Sequence, residues 1–171
     1  IDTGKTMRYF RDMLSAQGVT FITGCKVEQL LETDTSVEVA CFNPVDQQPI
    51  TFIGKHVSIC TNAFAKTLLP EADVTPGRGQ VLVTKPIPDL SVRGIFHFEQ
   101  GYYYCRNFQN RILLGGGRNM DVKGETTTEF GLHEAIQQNL IHKLATIILP
   151  GKHFEIDMQW SGIMAFGPEK K

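Results

Sequence analysis

Two glycine-containing stretches carry the chemistry that this sequence offers. Gly115-Gly116-Gly117-Arg118 follows the apolar Leu113-Leu114. Successive glycines at a strand end remove every Cβ, so another backbone or a planar ring can come close. The same residues also suit a bulge or a wide turn leading into Arg118-Asn119-Met120-Asp121. Trp160-Ser161-Gly162 offers a second bare position, beside a tryptophan that equally suits the core of a strand. On a strand, Tyr102-Tyr103-Tyr104 must alternate, with Tyr102 and Tyr104 on one side and Tyr103 on the other. That run reads either as a cavity wall or as aromatic core plus an edge tyrosine. His56, His97, His133, His142 and His153 form no H-x-x-x-H or H-E-x-x-H pattern. Cys25, Cys41, Cys60 and Cys105 form no C-x-x-C pair, so no metal centre is expected. No acid–base pair stands out, and the catalytic residues stay unassigned.

The elements that must position these stretches come from the rest of the chain. At 171 residues it suits one domain, or one domain plus part of another. A composition of 42% hydrophobic and 20% charged residues belongs to the ordinary globular class. The net charge of −1, with no Lys/Arg cluster, argues against a nucleic-acid partner. No apolar run approaches the ~18 residues of a membrane-spanning helix. Cys41 and Cys60 fall in apolar runs, where a buried thiol acts as a small hydrophobe. Widely spaced cysteines suit a reduced, cytoplasmic protein.

Asp2 or Thr3 can cap a helix reaching about Gln17, with Met7, Phe10 and Leu14 at helical spacing and Gly18 as its left-handed stop. Val19–Ile22 then reads as a short strand of a parallel sheet. Lys26–Thr33, Val37–Phe42 and Ile50–Ile53, separated by turn residues, predict an antiparallel meander. His56–Cys60 reads as another strand, and a brief helix over Phe64–Leu69 ends at Pro70. From Gly77 the chain turns strand-rich again, with strands expected at Gln80–Thr84, Gly94–Phe98, Gly101–Arg106, Arg111–Gly115 and Phe154–Gly162. Thr126-x-x-Glu129 has the form of a capping box. It predicts a helix over about 127–149 with Ile136, Leu140, Ile141, Leu144, Ile147 and Ile148 on one face.

Trp160-Ser161-Gly162-Ile163-Met164-Ala165-Phe166-Gly167-Pro168-Glu169-Lys170, together with Leu113–Arg118, resembles the D-amino-acid-oxidase-like family of FAD-dependent amine and amino-acid oxidoreductases. The order of elements is similar as well. The resemblance implies a mixed α+β and α/β fold. Residues 1–76 would be the tail of an FAD-binding domain carrying the meander. Residues 77–171 would be an antiparallel-sheet substrate domain with a helix packed on one face. Pro76-Gly77-Arg78-Gly79-Gln80 would mark the passage between them. FAD is the implied cofactor, reached by Val27, Thr61, Asn62, Ala63, Gly116 and Gly162. Val27 would hydrogen-bond the adenine through its backbone, and Gly162 would lie near the flavin. Thr61-Asn62-Ala63 would pass near the pyrophosphate and ribose, although the same residues also make an ordinary strand-to-helix turn.

Members that oxidise free amino acids often carry an arginine two residues beyond the Gly162 position, to hold the substrate carboxylate. Met164 stands there instead, and a thioether cannot pair with a carboxylate as a guanidinium does. Arg118 is the first candidate to replace it and Arg106 the second, while Tyr104 and Met164 would line the substrate cavity. Arg118 also reads simply as an exposed loop arginine. The implied reaction takes a hydride from the α-carbon of an amine or amino-acid-like small molecule to flavin. The resemblance lacks the family's N-terminal Gly-rich dinucleotide turn and stops before a later P-x-x-G turn. The chain is therefore expected to be an internal piece of such an enzyme. A self-contained α+β ligand-binding module and a non-catalytic subunit are the other classes. Oligomeric state is not legible.

Overall fold

The computed structural model describes residues 2–168. The other residues, including the Glu169-Lys170 that close the C-terminal motif, lie outside the described part. The chain forms two compact units. One comprises the residues up to Cys60 plus Thr67–Pro70, and the other comprises Thr61–Lys66 and the residues from Glu71 onward.

In the first unit, α1 spans Thr3–Ala16. Its N-cap is Asp2, whose Oδ1 accepts the Lys5 N–H at 3.0 Å. It ends where Gly18 takes φ +90°, a left-handed conformation that only glycine reaches without strain. Strands β1 (Lys26–Glu32), β2 (Val37–Asn43) and β3 (Gln48–Gly54) form the expected meander, antiparallel throughout. Asn43 Oδ1 accepts the Val45 N–H at 2.9 Å, the side-chain turn that reverses β2 into β3. Cys41 is buried in β2, and burial raises its thiol pKa.

Two expected strands do not form. Neither Val19–Ile22 nor His56–Cys60 joins a sheet among the described residues. A strand gains little unless a neighbour satisfies its backbone groups, and no neighbour pairs with these two. Val19, Phe21, Ile22 and Val57 remain exposed, and so does Cys60, contrary to its reading as a buried thiol.

The second unit is a five-stranded sheet of order β5-β6-β7-β4-β8, antiparallel at every pairing. Its strands are β4 (Thr75–Thr84), β5 (Ile95–Phe98), β6 (Tyr103–Phe108), β7 (Arg111–Gly116) and β8 (Ile156–Phe166). Helix α2 (Glu134–Lys143) covers one face. Leu82, Ile112 and Leu114 from the sheet meet Ile136, Leu140 and Leu144, all fully buried. The α+β class and the helix on one face agree with the sequence.

The helix differs from its expected bounds at both ends. It begins at Glu134, because Thr126 does not cap it. The Thr126 hydroxyl instead donates to the Val122 carbonyl at 2.7 Å and accepts from Arg118 Nη2 at 3.0 Å. Gly131 at φ +153° then breaks the path toward a helix. At the far end Leu144–Ile148 widens into a π-helical turn, closed by Leu149 N–H to the Leu144 carbonyl at 2.8 Å. The widening buries Leu149 and turns Ile147 out to 53% exposure, whereas the periodicity had placed Ile147 on the buried face.

The segment between Arg118 and Gly131 is tied to the sheet by one buried carboxylate. Glu125 is fully buried. Its Oε1 accepts from Arg78 Nε at 3.1 Å and Nη2 at 2.7 Å, and its Oε2 accepts from Gln80 Nε2 at 2.9 Å. Gln80 Oε1 accepts from Gln137 on α2 at 3.1 Å, and Gln137 Oε1 accepts from Gln159 on β8 at 2.9 Å. Removing one partner of such a pair leaves the other charge in a poor solvent. Glu125→Ala is expected to cost about 3–5 kcal/mol in denaturant unfolding. A loss below about 1 kcal/mol would show that the carboxylate does not anchor this segment.

Candidate functional site

Side chains alternate along β4, so its two faces differ. Arg78, Gln80 and Leu82 face the helix. Gly77 and Gly79 face the other way, together with Val81. On this second face the register sets Gly79 against Gly162, Gly77 against Met164, and Val81 between Gly115 and Trp160. Tyr104 on β6 pairs with Gly115 and shares the same face.

The sheet is therefore bare across three adjacent strands, but its own side chains cover most of the bare track. The Tyr104 phenol fills the space over Gly115. The Met164 methyl lies 3.0 Å from where a Gly79 Cβ would stand. The Phe166 ring and Arg118 Nε fill the space over Gly77, with Nε 2.8 Å from the ideal Cβ position. Gly162 alone has nothing within 4 Å of that position. Trp160, Tyr104 and Met164 are 36%, 37% and 43% exposed, so Trp160 is not a core tryptophan.

Arg118 follows Gly117, whose φ of +82° turns the chain out of β7. Its guanidinium carbon stacks 4.7 Å from the centre of the Phe166 ring, a cation–π contact. Its hydrogen bond among the described residues runs to Thr126, and its Nε is buried without a partner. Arg118 and Met164 are thus brought to one place, since Gly77 underlies Arg118 and pairs with Met164. Arg106 lies two residues along β6 from Tyr104, with its guanidinium 5.6 Å from the Phe108 ring centre. Desolvation raises the pKa of Tyr104, and the positive charge of Arg106 opposes that. The phenol therefore stays a neutral hydrogen-bond donor at neutral pH. Tyr103 faces the helix, 2% exposed, and donates to Asn139 Oδ1 at 2.9 Å.

The remaining candidates stand elsewhere. Gly116 pairs with Gln80 and Tyr103 on the helix side, and the Tyr102 carbonyl fills the space where its side chain would be. Its bareness at φ +124° answers the chain's own backbone. Thr61, Asn62 and Ala63 open a 3-10 turn, Asn62–Thr67. Asn62 is left-handed at φ 52°, and the Thr61 carbonyl accepts from Phe64 at 3.0 Å. Phe64 stacks on Phe130 at 6.3 Å. Next to Phe130, Gly131 N–H donates to Ser161 Oγ at 3.1 Å, beside Gly162. Val27, in the other unit, precedes a bulge in β1, where the register slips by one residue before Gln29.

Gly77, Gly79, Thr126 and Phe166 are site features that the sequence reading left out. The G-x-G spacing of Gly77 and Gly79 was the available signal, because on a strand it bares one face twice.

A family model described as "DAO: FAD dependent oxidoreductase" matches residues 1–171. The chain belongs to this family. No curated protein matches the sequence significantly. Among solved structures, L-proline dehydrogenase from P. horikoshii is similar at 18% identity and TM-score 0.68, over 90% of this chain and 41% of its own. Glycine oxidase from Geobacillus kaustophilus is similar at 18% identity and TM-score 0.66, over 84% of this chain and 37% of its own. Iminodiacetate oxidase from Chelativorans sp. BNC1 gives 18% identity and TM-score 0.61, over 82% and 37%. The chain spans about two-fifths of the length of these structures. At such identity they show the fold alone.

The glycines on the open face allow a direct comparison. Gly77→Ala must displace Phe166 and Arg118 and is expected to cost about 1–3 kcal/mol. Gly162→Ala meets open space and should change stability by less than about 0.5 kcal/mol. Thermal unfolding of both variants checks the difference, and equal losses would contradict this packing.

Proposed function

We propose that this chain contributes the substrate-binding sheet, and part of the FAD-binding region, of an enzyme that oxidises the C–N bond of a carboxylated amine with an apolar body. The observation that carries the reading is a pairing on one face of the second unit. Gly162 is open to a flat ring there, and the Arg118 guanidinium is stacked at the position facing Met164. A strand position whose side chain would meet only space has no packing reason to be glycine, and it suits a planar ring. These residues fit FAD. Within the second unit, Gly162 would approach its ring and Thr61, Asn62 and Ala63 would serve its other end, while Gly116 serves the backbone first. Bound FAD would supply a two-electron hydride acceptor for oxidation of the carbon beside the substrate nitrogen. Arg118 holds the carboxylate, with Arg106 as the alternative cation, and Tyr104 donates from the same face of the sheet. Met164, Trp160 and the underlying glycines form an apolar floor for the body of the substrate.

The names of the similar structures support a carboxylated amine, since proline, glycine and iminodiacetate are all of that kind. Four free cysteines suit a reducing compartment such as the cytoplasm. No helix among the described residues is long and apolar enough to cross a membrane.

Two experiments test the reading. The sequence contains no G-x-G-x-x-G turn to hold a pyrophosphate. The full-length protein should purify yellow with stoichiometric flavin, and the 171-residue stretch should not. Full-length Gly162→Val should lose flavin without losing fold. A stoichiometric flavin complex of the short stretch, or a Gly162→Val protein with full occupancy, would contradict the cofactor reading. Steady-state kinetics test the substrate side. Glycine and D-alanine should be poor substrates, because they lack the apolar body that Met164, in place of the usual arginine, would receive. Arg118→Ala should raise KM for a carboxylated substrate about a hundredfold, and Met164 substitutions about tenfold. Rapid turnover of glycine, or an unchanged KM in Arg118→Ala, would place the substrate elsewhere.

A further inference from the structure

A carboxylate gains most from an arginine that is already held in its binding pose, because ordering a long side chain on binding subtracts from affinity. Arg118 is held on three sides before any ligand arrives. The Phe166 ring lies against its guanidinium carbon at 4.7 Å, Gly77 leaves room for its Nε, and Thr126 Oγ1 accepts from Nη2 at 3.0 Å. The Thr126 hydroxyl has a fixed polarity. Its proton goes to the Val122 carbonyl at 2.7 Å, so only its lone pairs face the arginine. Thr126 is itself placed by its neighbour Glu125, whose carboxylate is bound by Arg78 and Gln80 and whose carbonyl accepts the Arg78 N–H at 2.7 Å.

We propose that Thr126 is a positioning residue that aims the Arg118 guanidinium at a substrate carboxylate. The inference rests on the reading of Arg118 given above. Glu125 anchors the loop, Thr126 fixes one terminal nitrogen of Arg118, and Phe166 fixes the plane of the guanidinium. The unpartnered, buried Nε fits this role. A buried donor without a partner is costly, and a structure that keeps one is holding the group in place by other contacts.

The test uses the full-length protein and a matched pair of probes, benzoate and benzamide, titrated by calorimetry. The pair differs in the carboxylate alone. Wild type should bind benzoate at least about tenfold tighter than benzamide, and Arg118→Ala should erase that preference. Thr126→Val should weaken benzoate about tenfold and leave benzamide unchanged, as expected for one lost hydrogen bond to a charged group. Thr126→Ser keeps the hydroxyl and should restore benzoate binding. In an Arg118→Ala background, Thr126→Val should have no further effect. If wild type shows no benzoate preference, or Arg118→Ala retains it, the reading of Arg118 fails. If Arg118→Ala erases the preference but Thr126→Val keeps it, the positioning role alone fails. Equal weakening of both probes by Thr126→Val, or no rescue by Thr126→Ser, also overturns the positioning role, because general loop damage does not discriminate by charge.

Discussion

A carboxylate buried without solvent has to find its compensation inside the protein, and in the second unit Glu125 finds it on β4. That requirement determines much of what surrounds it. Arg78 and Gln80 must lie on the same face of one strand to reach both carboxylate oxygens, and strand alternation then puts Gly77 and Gly79 on the opposite face. The polar ladder on one side and the bare track on the other are two consequences of a single register. Gln137 and Gln159 extend the ladder to α2 and β8, so the helix, the inner strand β4 and the edge strand β8 share one set of hydrogen bonds.

The bare track shows how a sheet can be made approachable without being left hollow. Phe166, Met164 and Tyr104 fold back over glycines of the neighbouring strands. Each fills space that a Cβ would otherwise take, so the sheet keeps its packing. Gly162 stands apart from this arrangement, and so does the stacked guanidinium at the other end. An open backbone position and a fixed cation on the same surface give that surface a direction, with a flat, neutral region and a charged end.

Local chemistry made a large part of this legible in the sequence. The Asp2 cap, the Gly18 stop and the meander turns depend on neighbours a few residues apart, and they formed as read. So did the strands from Gln80 to Gly162, although β4 and β8 run longer than their apolar cores and β6 is shifted to Tyr103–Phe108, with Gly101 and Tyr102 in the turn before it. Pairing across β4 and β8 carries Thr75–Gly79 and Ile163–Phe166 into the ladder despite glycines and a proline. What failed depended on distant partners. Val19–Ile22 has a strand's composition but no pairing neighbour among the described residues. Thr126-x-x-Glu129 has the spacing of a cap, yet Arg118 and Val122 compete for the hydroxyl and win it. In the candidate site, Gly162, Met164 and Tyr104 share one face of the sheet and Arg118 lies over Gly77 on that face, whereas Gly116 belongs to the helix side. The contacts that Phe166 and Thr126 make with Arg118 were not legible, because each depends on how the chain folds around the arginine.

The π-helical turn at Leu144–Ile148 has a consequence for how this unit tolerates changes of length. The Leu149 N–H there reaches back five residues to the Leu144 carbonyl, where an α-helical bond reaches back four. Deleting one residue of the turn would let the backbone relax to regular hydrogen bonding. It would also rotate everything beyond by about 100°, carrying Leu149 away from the core it now fills. Backbone regularity and side-chain burial cannot both be maximised in this segment. The extra residue keeps α2 and the return to β8 in phase, much as a shim sets the spacing between two rigid parts.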